Sequence, residues 1–251
     1  MLKRFNSAIN KYGAGGTIKK LPAFIRSRIR RFASYPSPLT RFGVAKSKWQ
    51  KFQINHELGF WLNYKKSGSS NNAGTNSIDE RKNQLTNRFN TKVHTNFDEK
   101  IVLDVGCGPF GGFLPHVNAK TKIGIEPLAR EFQKLYPVDP DIITISAMAE
   151  DIPLLSESVD ACYCINMLDH TMKPYEAMEE IYRILKPGGY LAFAVDVGGA
   201  KQHPVKIYKK DLDAFFNNHR FDVIEQNYSA EKSHWGKDAE IPVYTFQGYK
   251  R

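Results

Sequence analysis

Acidic residues are missing from the first 56 positions: that stretch has 13 Lys/Arg and no Asp or Glu, while residues 57–251 hold 23 Lys/Arg against 26 Asp/Glu. The formal charge of +10 therefore resides in the N-terminal arm, and the remainder is close to neutral. Such an arm suits an anionic membrane surface or another polyanion, or simply stays solvated. Cysteine is scarce as well. Cys107, Cys162 and Cys164 lack metal-type spacing and lie within apolar patterns, which excludes a disulfide framework and fits a reducing compartment. No run of about 20 apolar residues occurs, which excludes a spanning helix. The opening Met1-Leu2-Lys3-Arg4-Phe5-Asn6 lacks the apolar stretch of a signal peptide, so a cytoplasmic protein is predicted, peripheral at the membrane if the arm docks there. No carboxylate cluster has a metal-binding arrangement, and no essential metal is predicted.

A length of 251 residues accommodates one substantial core plus an extension. Leu21, Ile25, Ile29 and Phe32 recur at helical spacing, with Arg26, Arg28, Arg30 and Arg31 between them. This is a basic amphipathic helix that either lies on an anionic surface or docks on its own domain. A second helical pattern runs from about Lys46 to Tyr64, with Trp49, Phe52, His56 and Phe60 along one face and Gln53, Glu57 and Trp61 one position behind. Ser67 to Ser77 has almost no apolar content and reads as a loop. The expected division is a basic arm over 1–45, a cap helix and loop over 46–90, and the main domain over 91–251.

From Lys100 strands alternate with helices. Ile101–Val105, Thr121–Ile125, Ile142–Ile145, Ala161–Ile165 and Tyr190–Val195 read as buried strands, with a helix from Pro174 to about Leu185 stopped by Pro187-Gly188-Gly189. A helix over Lys210–Asn218 and extended segments at Phe221–Ile224 and Ile241–Tyr249 follow, with an insertion at about 228–240. This order predicts an open α/β domain with a parallel sheet.

The strongest motif is Val102-Leu103-Asp104-Val105-Gly106-Cys107-Gly108-Pro109-Phe110-Gly111-Gly112, a buried strand entering a glycine-dense turn. Glycines there let backbone amides approach a ligand that side chains would exclude. The next strand ends in Glu126, twenty residues after Gly106, where a carboxylate meets ribose hydroxyls. Gly106, Gly108 and Gly111 also satisfy a dinucleotide fingerprint. Asp104 decides between the two, because an anion beside the loop repels a pyrophosphate and suits the cationic amino-acid end of S-adenosylmethionine.

The stretch from about Ile101 to Val195 resembles the class I S-adenosylmethionine-dependent methyltransferases, with a core of the methyltransferase-11 type. The resemblance implies a seven-stranded Rossmann-like sheet, mostly parallel with an antiparallel last strand, carrying an N-terminal helical extension. It implies that Asp104, Gly106 and Gly108 hold the methionine moiety, that Glu126 holds the ribose, and that Pro127, Ala149 and Glu150 border the adenine. Many relatives carry an acid where Met148 stands here. The fourth strand's exit, Ile165-Asn166-Met167-Leu168-Asp169-His170, also resembles the family, placing Asn166 beside the cofactor and making Asp169 and His170 catalytic candidates. The Trp49–Trp61 segment resembles an N-terminal helix of members associated with surface-polysaccharide synthesis.

Trp61 and the loop residue His203 are candidates for substrate contact. Methyl transfer from a sulfonium chiefly requires proximity, alignment and a dry cleft. Asp169, His170 and His203 favour a hydroxyl acceptor, which must lose a proton, and the first expectation is O-methylation of a sugar, glycan or related small molecule. An RNA methyltransferase is the alternative, with the arm on phosphates, but no RNA-binding module is visible. A catalytically inactive scaffold is the rival from another class.

Overall fold

The computed structural model describes residues 48–66, 86–137, 139–198, 205–229 and 241–251, with side chains of the first segment described over 53–63. The helix expected at 21–32, the loop at 67–77, His203 and residues 230–240 lie outside the described residues. The chain divides into two units, Met1–Lys66 and Ser67–Arg251. The first contains helix α1 (Lys48–Lys66). Its deepest described positions are Gln53, Ile54 and Leu58. Phe60 and Trp61 meet edge to face at 5.3 Å and are half-buried.

The second unit is built on seven strands: β1 (Asn96–Val105), β2 (Asn118–Ile125), β3 (Ile142–Ile145), β4 (Val159–Ile165), β5 (Leu185–Asp196), β6 (Phe221–Ser229) and β7 (Val243–Lys250). They form one sheet in the order β3-β2-β1-β4-β5-β7-β6. β1 to β5 pair in parallel, and β7 is antiparallel to both of its neighbours. Among the described residues three helices accompany them: α2 (Ala129–Leu135), α3 (Pro174–Ile184) and α4 (Lys209–Asn218). Between β1 and β2 the chain makes two 3-10 turns, Gly108–Phe110 and Leu114–His116. Left-handed Gly111 and Gly112 interrupt any longer helix there.

Alternation along the strands assigns side chains to two faces. Leu103, Val105, Cys162, Cys164, Phe193 and Val195 face a core built with Ala177, Ile181 and Ile184 of α3 and Leu212 and Phe216 of α4. Val102, Ala161, Tyr163, Tyr190 and Ala192 face a second core, closed by Phe89, Val93, Phe97 and Phe113. Both faces are covered, which is why the central strands read as continuous apolar runs.

Among the described residues, no side chain of an α-helix belongs to this second core cluster. Residues 88–97 cross it as a strap, held by side chains of the strands beneath. The Glu225 carboxylate accepts hydrogen bonds from Asn90 N (2.9 Å), Thr91 N (2.8 Å), Thr91 Oγ1 (2.6 Å) and Thr245 Oγ1 (2.8 Å). Gln247 Nε2 donates to Thr91 Oγ1 at 2.8 Å. Tyr190 Oη accepts from His94 N (3.2 Å) and donates to Gln247, while Tyr163 Oη donates to His94 O.

Several strands extend beyond their expected ends. β1 begins at Asn96 rather than Ile101, through a register irregularity between Phe97 and Ile101 where Glu99 takes φ +58°. β6 continues to Ser229, because β7 supplies a ladder that pairs Ser229 with Val243. β5 begins at Leu185, directly after α3, and passes through Pro187-Gly188-Gly189 with Gly188 at φ +75°. Lys250 closes that junction: its Nζ donates to Tyr182 O (2.9 Å) and Leu185 O (2.8 Å), satisfying carbonyls that a helix end leaves open.

Candidate active site

In an open parallel sheet, ligands bind outside the carboxyl ends of the strands where the strand order reverses. Here that point lies between β1 and β4, because the chain runs outward through β2 and β3 on one side and through β5 on the other. The glycine turn leaves β1 at this crevice. Gly106 (φ +79°) donates its N–H to Ile125 O at 2.8 Å, tying the turn to the end of β2. A Cβ on Gly106 would lie 2.1 Å from Met167 Cγ. The turn after β1 therefore packs directly on the exit of β4, and only glycine fits there.

Gly108 has a different environment. It too is left-handed (φ +60°), but no atom lies within 4 Å of where its Cβ would stand. Its N–H donates to Glu126 Oε2 at 3.1 Å, and Leu128 N donates to Glu126 Oε1 at 2.9 Å. Glu126, only 9% exposed, is thus held at the end of β2 beside open space over the turn. A carboxylate so placed can still accept from ribose hydroxyls through its remaining lone pairs.

Asp104 is buried beneath the turn. Its Oδ2 accepts from Phe113 N at 2.6 Å, and a Cβ on Gly112 would come within 2.3 Å of the same oxygen. These contacts tie the turn to the end of β1. Pro127 O accepts from Ser146 Oγ at 3.0 Å, joining the ends of β2 and β3. Ala149 belongs to the core cluster below. Glu150 Oε1 accepts from Met172 N (2.9 Å) and Lys173 N (3.3 Å), pinning the chain that enters α3.

At the exit of β4, Asn166 is left-handed (φ +57°) and donates its N–H to Ala194 O at 2.8 Å. The 3-10 turn Leu168–His170 follows. Asp169 is fully buried, its backbone O accepts from Val205 N at 3.1 Å, and its Oδ1 lies 3.9 Å from His170 Nε2. The His170 side chain is 24% exposed, the more accessible of the two catalytic candidates.

Sequence reasoning did not find Arg88 or Asp196. Arg88, 2% exposed, donates from Nη1 to Asp196 Oδ1 and from Nη2 to Asn166 Oδ1, each at 3.2 Å. It thereby bridges the carboxyl ends of β4 and β5. Burial pulls its pKa down, while the carboxylates of Asp196 and Asp169 favour the charged guanidinium. Asp196 had the same signal as Glu126, an acid closing a buried strand. Arg88 had none, since its partners lie 78 and 108 positions away.

These elements bring Asp104, Gly106, Gly108, Glu126, Asn166, Asp169 and His170 to the carboxyl end of three adjacent strands. Trp61 lies in the other unit, described by itself.

Comparison with known proteins agrees with this fold. Residues 103–193 match the methyltransferase domain family. Ubiquinone biosynthesis O-methyltransferase of Pseudomonas entomophila is 37% identical over 106 residues, covering 38% of this chain and 44% of that protein. The enzyme of the same name from Pseudomonas fluorescens is 36% identical over 110 residues, covering 39% and 45%. The chain thus spans under half the length of the curated relatives it matches. Among solved structures, a chain from the complex of the Haloferax volcanii Trm112 methyltransferase activator with a protein assigned as a methyltransferase superposes with a TM-score of 0.53 at 16% identity. It covers 75% of this chain and 96% of that one. A Listeria monocytogenes protein assigned as an S-adenosylmethionine-dependent methyltransferase gives 0.51 at 16% identity, covering 68% and 98%. Residues 103–193 thus match the methyltransferase domain family, and the sheet shares the Rossmann-like fold of the solved structures it superposes on.

Proposed function

We propose that the protein is an S-adenosylmethionine-dependent O-methyltransferase. The observation that carries this reading is the open, side-chain-free space over left-handed Gly108, with the Glu126 carboxylate fixed beside it at the switch point of the sheet. The cofactor, when bound, supplies the electrophilic methyl group. Gly106 and Gly108 present backbone toward its methionine portion, Asp104 keeps the turn in shape, and Glu126 accepts from the ribose. Pro127, Ala149 and Glu150 lie toward the adenine, and Asn166 toward the reacting end.

The acceptor in this reading is a hydroxyl. His170, partly exposed and backed by Asp169 at 3.9 Å, takes up the proton that the hydroxyl releases. A sugar or glycan hydroxyl is the first class to test. The names of the Pseudomonas relatives support an aromatic hydroxyl as the second. Trp61 and His203 would contact the acceptor. Residues 1–35 would bring the protein to an anionic membrane surface from the cytoplasm. No helix of the described residues is long and apolar enough to cross a membrane.

The test is calorimetric titration of S-adenosylmethionine into wild type and Gly108→Val. The valine points into open space, so the protein stays folded at a cost of about 1–2 kcal/mol for the left-handed backbone, while the ligand's place is filled. Wild-type binding that the variant loses supports the reading. Equal binding by both would refute this placement, and no binding by folded wild type would favour the scaffold. Screening monosaccharides, polyhydroxylated phenols and short RNA with methyl-labelled cofactor then separates the acceptor classes. Vesicle sedimentation with and without anionic lipid tests the arm.

A further inference from the structure

Residues 146–158 carry the chain from β3 to β4 without a helix, so their backbone polar groups need partners from elsewhere. Side chains of α3 supply several. Arg183 donates from Nη2 to Ile152 O (3.0 Å) and from Nη1 to Leu154 O (2.9 Å) and Ser156 Oγ (3.3 Å). Its Nε and Nη2 also fork onto the Glu180 carboxylate at 2.7 and 2.8 Å, and Glu180 Oε2 accepts from Ile152 N at 2.9 Å. Every N–H of the guanidinium is thereby engaged. The upstream end of the segment is anchored separately, by Ser146 Oγ on Pro127 O at 3.0 Å. Between these anchors Asp151 N donates to Met148 O at 3.2 Å, closing a turn over Met148–Asp151.

This turn carries Ala149 and Glu150, which the reading above places toward the adenine. Their side chains have little with which to tell one purine from another. Ala149 has no polar side-chain atom, Glu150 Oε1 accepts from Met172 N and Lys173 N, and Glu150 Oε2 is buried. Selection among purines then falls to main-chain N–H and C=O groups, and it is only as sharp as those groups are fixed. Adenine offers an acceptor at N1 and a donor at its 6-amino group, whereas hypoxanthine offers the reverse. A fixed backbone pairs with one pattern and leaves its own groups unpaired against the other, while a loose one adjusts to both. Resting on the reading above, we propose that Arg183 and Glu180 are positioning residues for base recognition, holding the Met148–Asp151 turn in the conformation that selects the adenine of S-adenosylmethionine. They act through Ile152, whose N–H and C=O are both held from α3.

The test is calorimetry on the full chain with S-adenosylhomocysteine and its hypoxanthine counterpart, S-inosylhomocysteine, read as the ratio of their dissociation constants. Wild type should prefer the adenine form by about tenfold or more. Arg183→Lys keeps the charge but not the planar fork, and should reduce that preference about three- to tenfold. Glu180→Gln removes the anion that orients Arg183 and should move the ratio in the same direction. A merely structural role would lower the melting temperature and weaken both ligands alike, leaving the ratio at its wild-type value. That result in folded Arg183→Lys overturns the proposal, and near-isosteric Glu180→Gln decides by the same criterion if Arg183→Lys does not fold. Wild type that binds neither ligand overturns the cofactor assignment itself. Wild type that binds both forms equally leaves that assignment standing and overturns only the base-positioning role.

Discussion

Glu225 offers a sharp test of how this fold is held together, because it concentrates many contacts of the strap on one carboxylate. The side chain is 7% exposed, and all its partners are donors: Asn90 N, Thr91 N, Thr91 Oγ1, Thr245 Oγ1 and Gln247 Nε2. Glu225→Gln is close to isosteric but replaces one acceptor oxygen with an NH2 group. With the NH2 in the Oε1 position, Thr245 can rotate its hydroxyl to accept, and Asn90 N–H keeps only its 3.1 Å contact with Oε2. Hydrogen bonds to a charged group contribute about 1.5–3 kcal/mol each, against about 0.5–1.5 kcal/mol for a neutral pair, so several bonds weaken together. A loss of about 2–4 kcal/mol at pH 7 is expected.

The pH dependence of that loss has a definite sign. Burial opposes ionisation of Glu225, but the hydrogen bonds from Thr91, Asn90 and Thr245 outweigh it and hold the carboxyl below its ordinary value. A carboxyl depressed on folding stabilises fully above its unfolded pKa, about 4.3. That contribution is lost as the pH falls through the lower, folded value. Urea unfolding followed by circular dichroism should therefore show a wide gap between wild type and Glu225→Gln at pH 7, narrowing as the pH drops below about 4. A gap under about 0.5 kcal/mol at pH 7, or one that widens with acid, would refute the reasoning.

Gly106→Ala should be far more damaging than its size suggests, since φ is +79° and the new methyl would meet Met167 Cγ at 2.1 Å. A cost of about 2–4 kcal/mol, with loss of S-adenosylmethionine binding, is expected from thermal unfolding and calorimetry. Wild-type stability would show that Met167 does not pack there. The thiols of Cys107, Cys162 and Cys164 are buried and pushed above the ordinary thiol pKa by that burial. A chromogenic disulfide reagent at pH 8 should leave all three unreacted in the native protein and titrate them only in denaturant. Rapid modification of even one would contradict its placement.

The sequence by itself determined the elements whose signals are local. Unbroken apolar runs marked the strands of a sheet covered on both faces, and the glycines from Gly106 to Gly112 marked a turn that needs left-handed backbone. Glu126 was legible as the acid closing the next strand. Cys162 and Cys164, two apart on a strand, were assigned to one face, and both lie in the same core. Strand ends were less legible. Ser229, Asn96 and Leu185 are extended because a neighbouring strand pairs with them, and pairing partners are not written in the local pattern. Only the tertiary structure decided the buried charges. Arg88 lies between the cap-helix pattern and the first strand, and nothing in its surroundings distinguishes it from a solvated arginine; folding brings it to Asn166 and Asp196. The same holds for Glu225, the first of three consecutive polar residues until the strap closes over it. Periodicity encodes which side of an element is buried, whereas an ion pair across the sheet depends on where distant segments end. That is a property of the assembled fold.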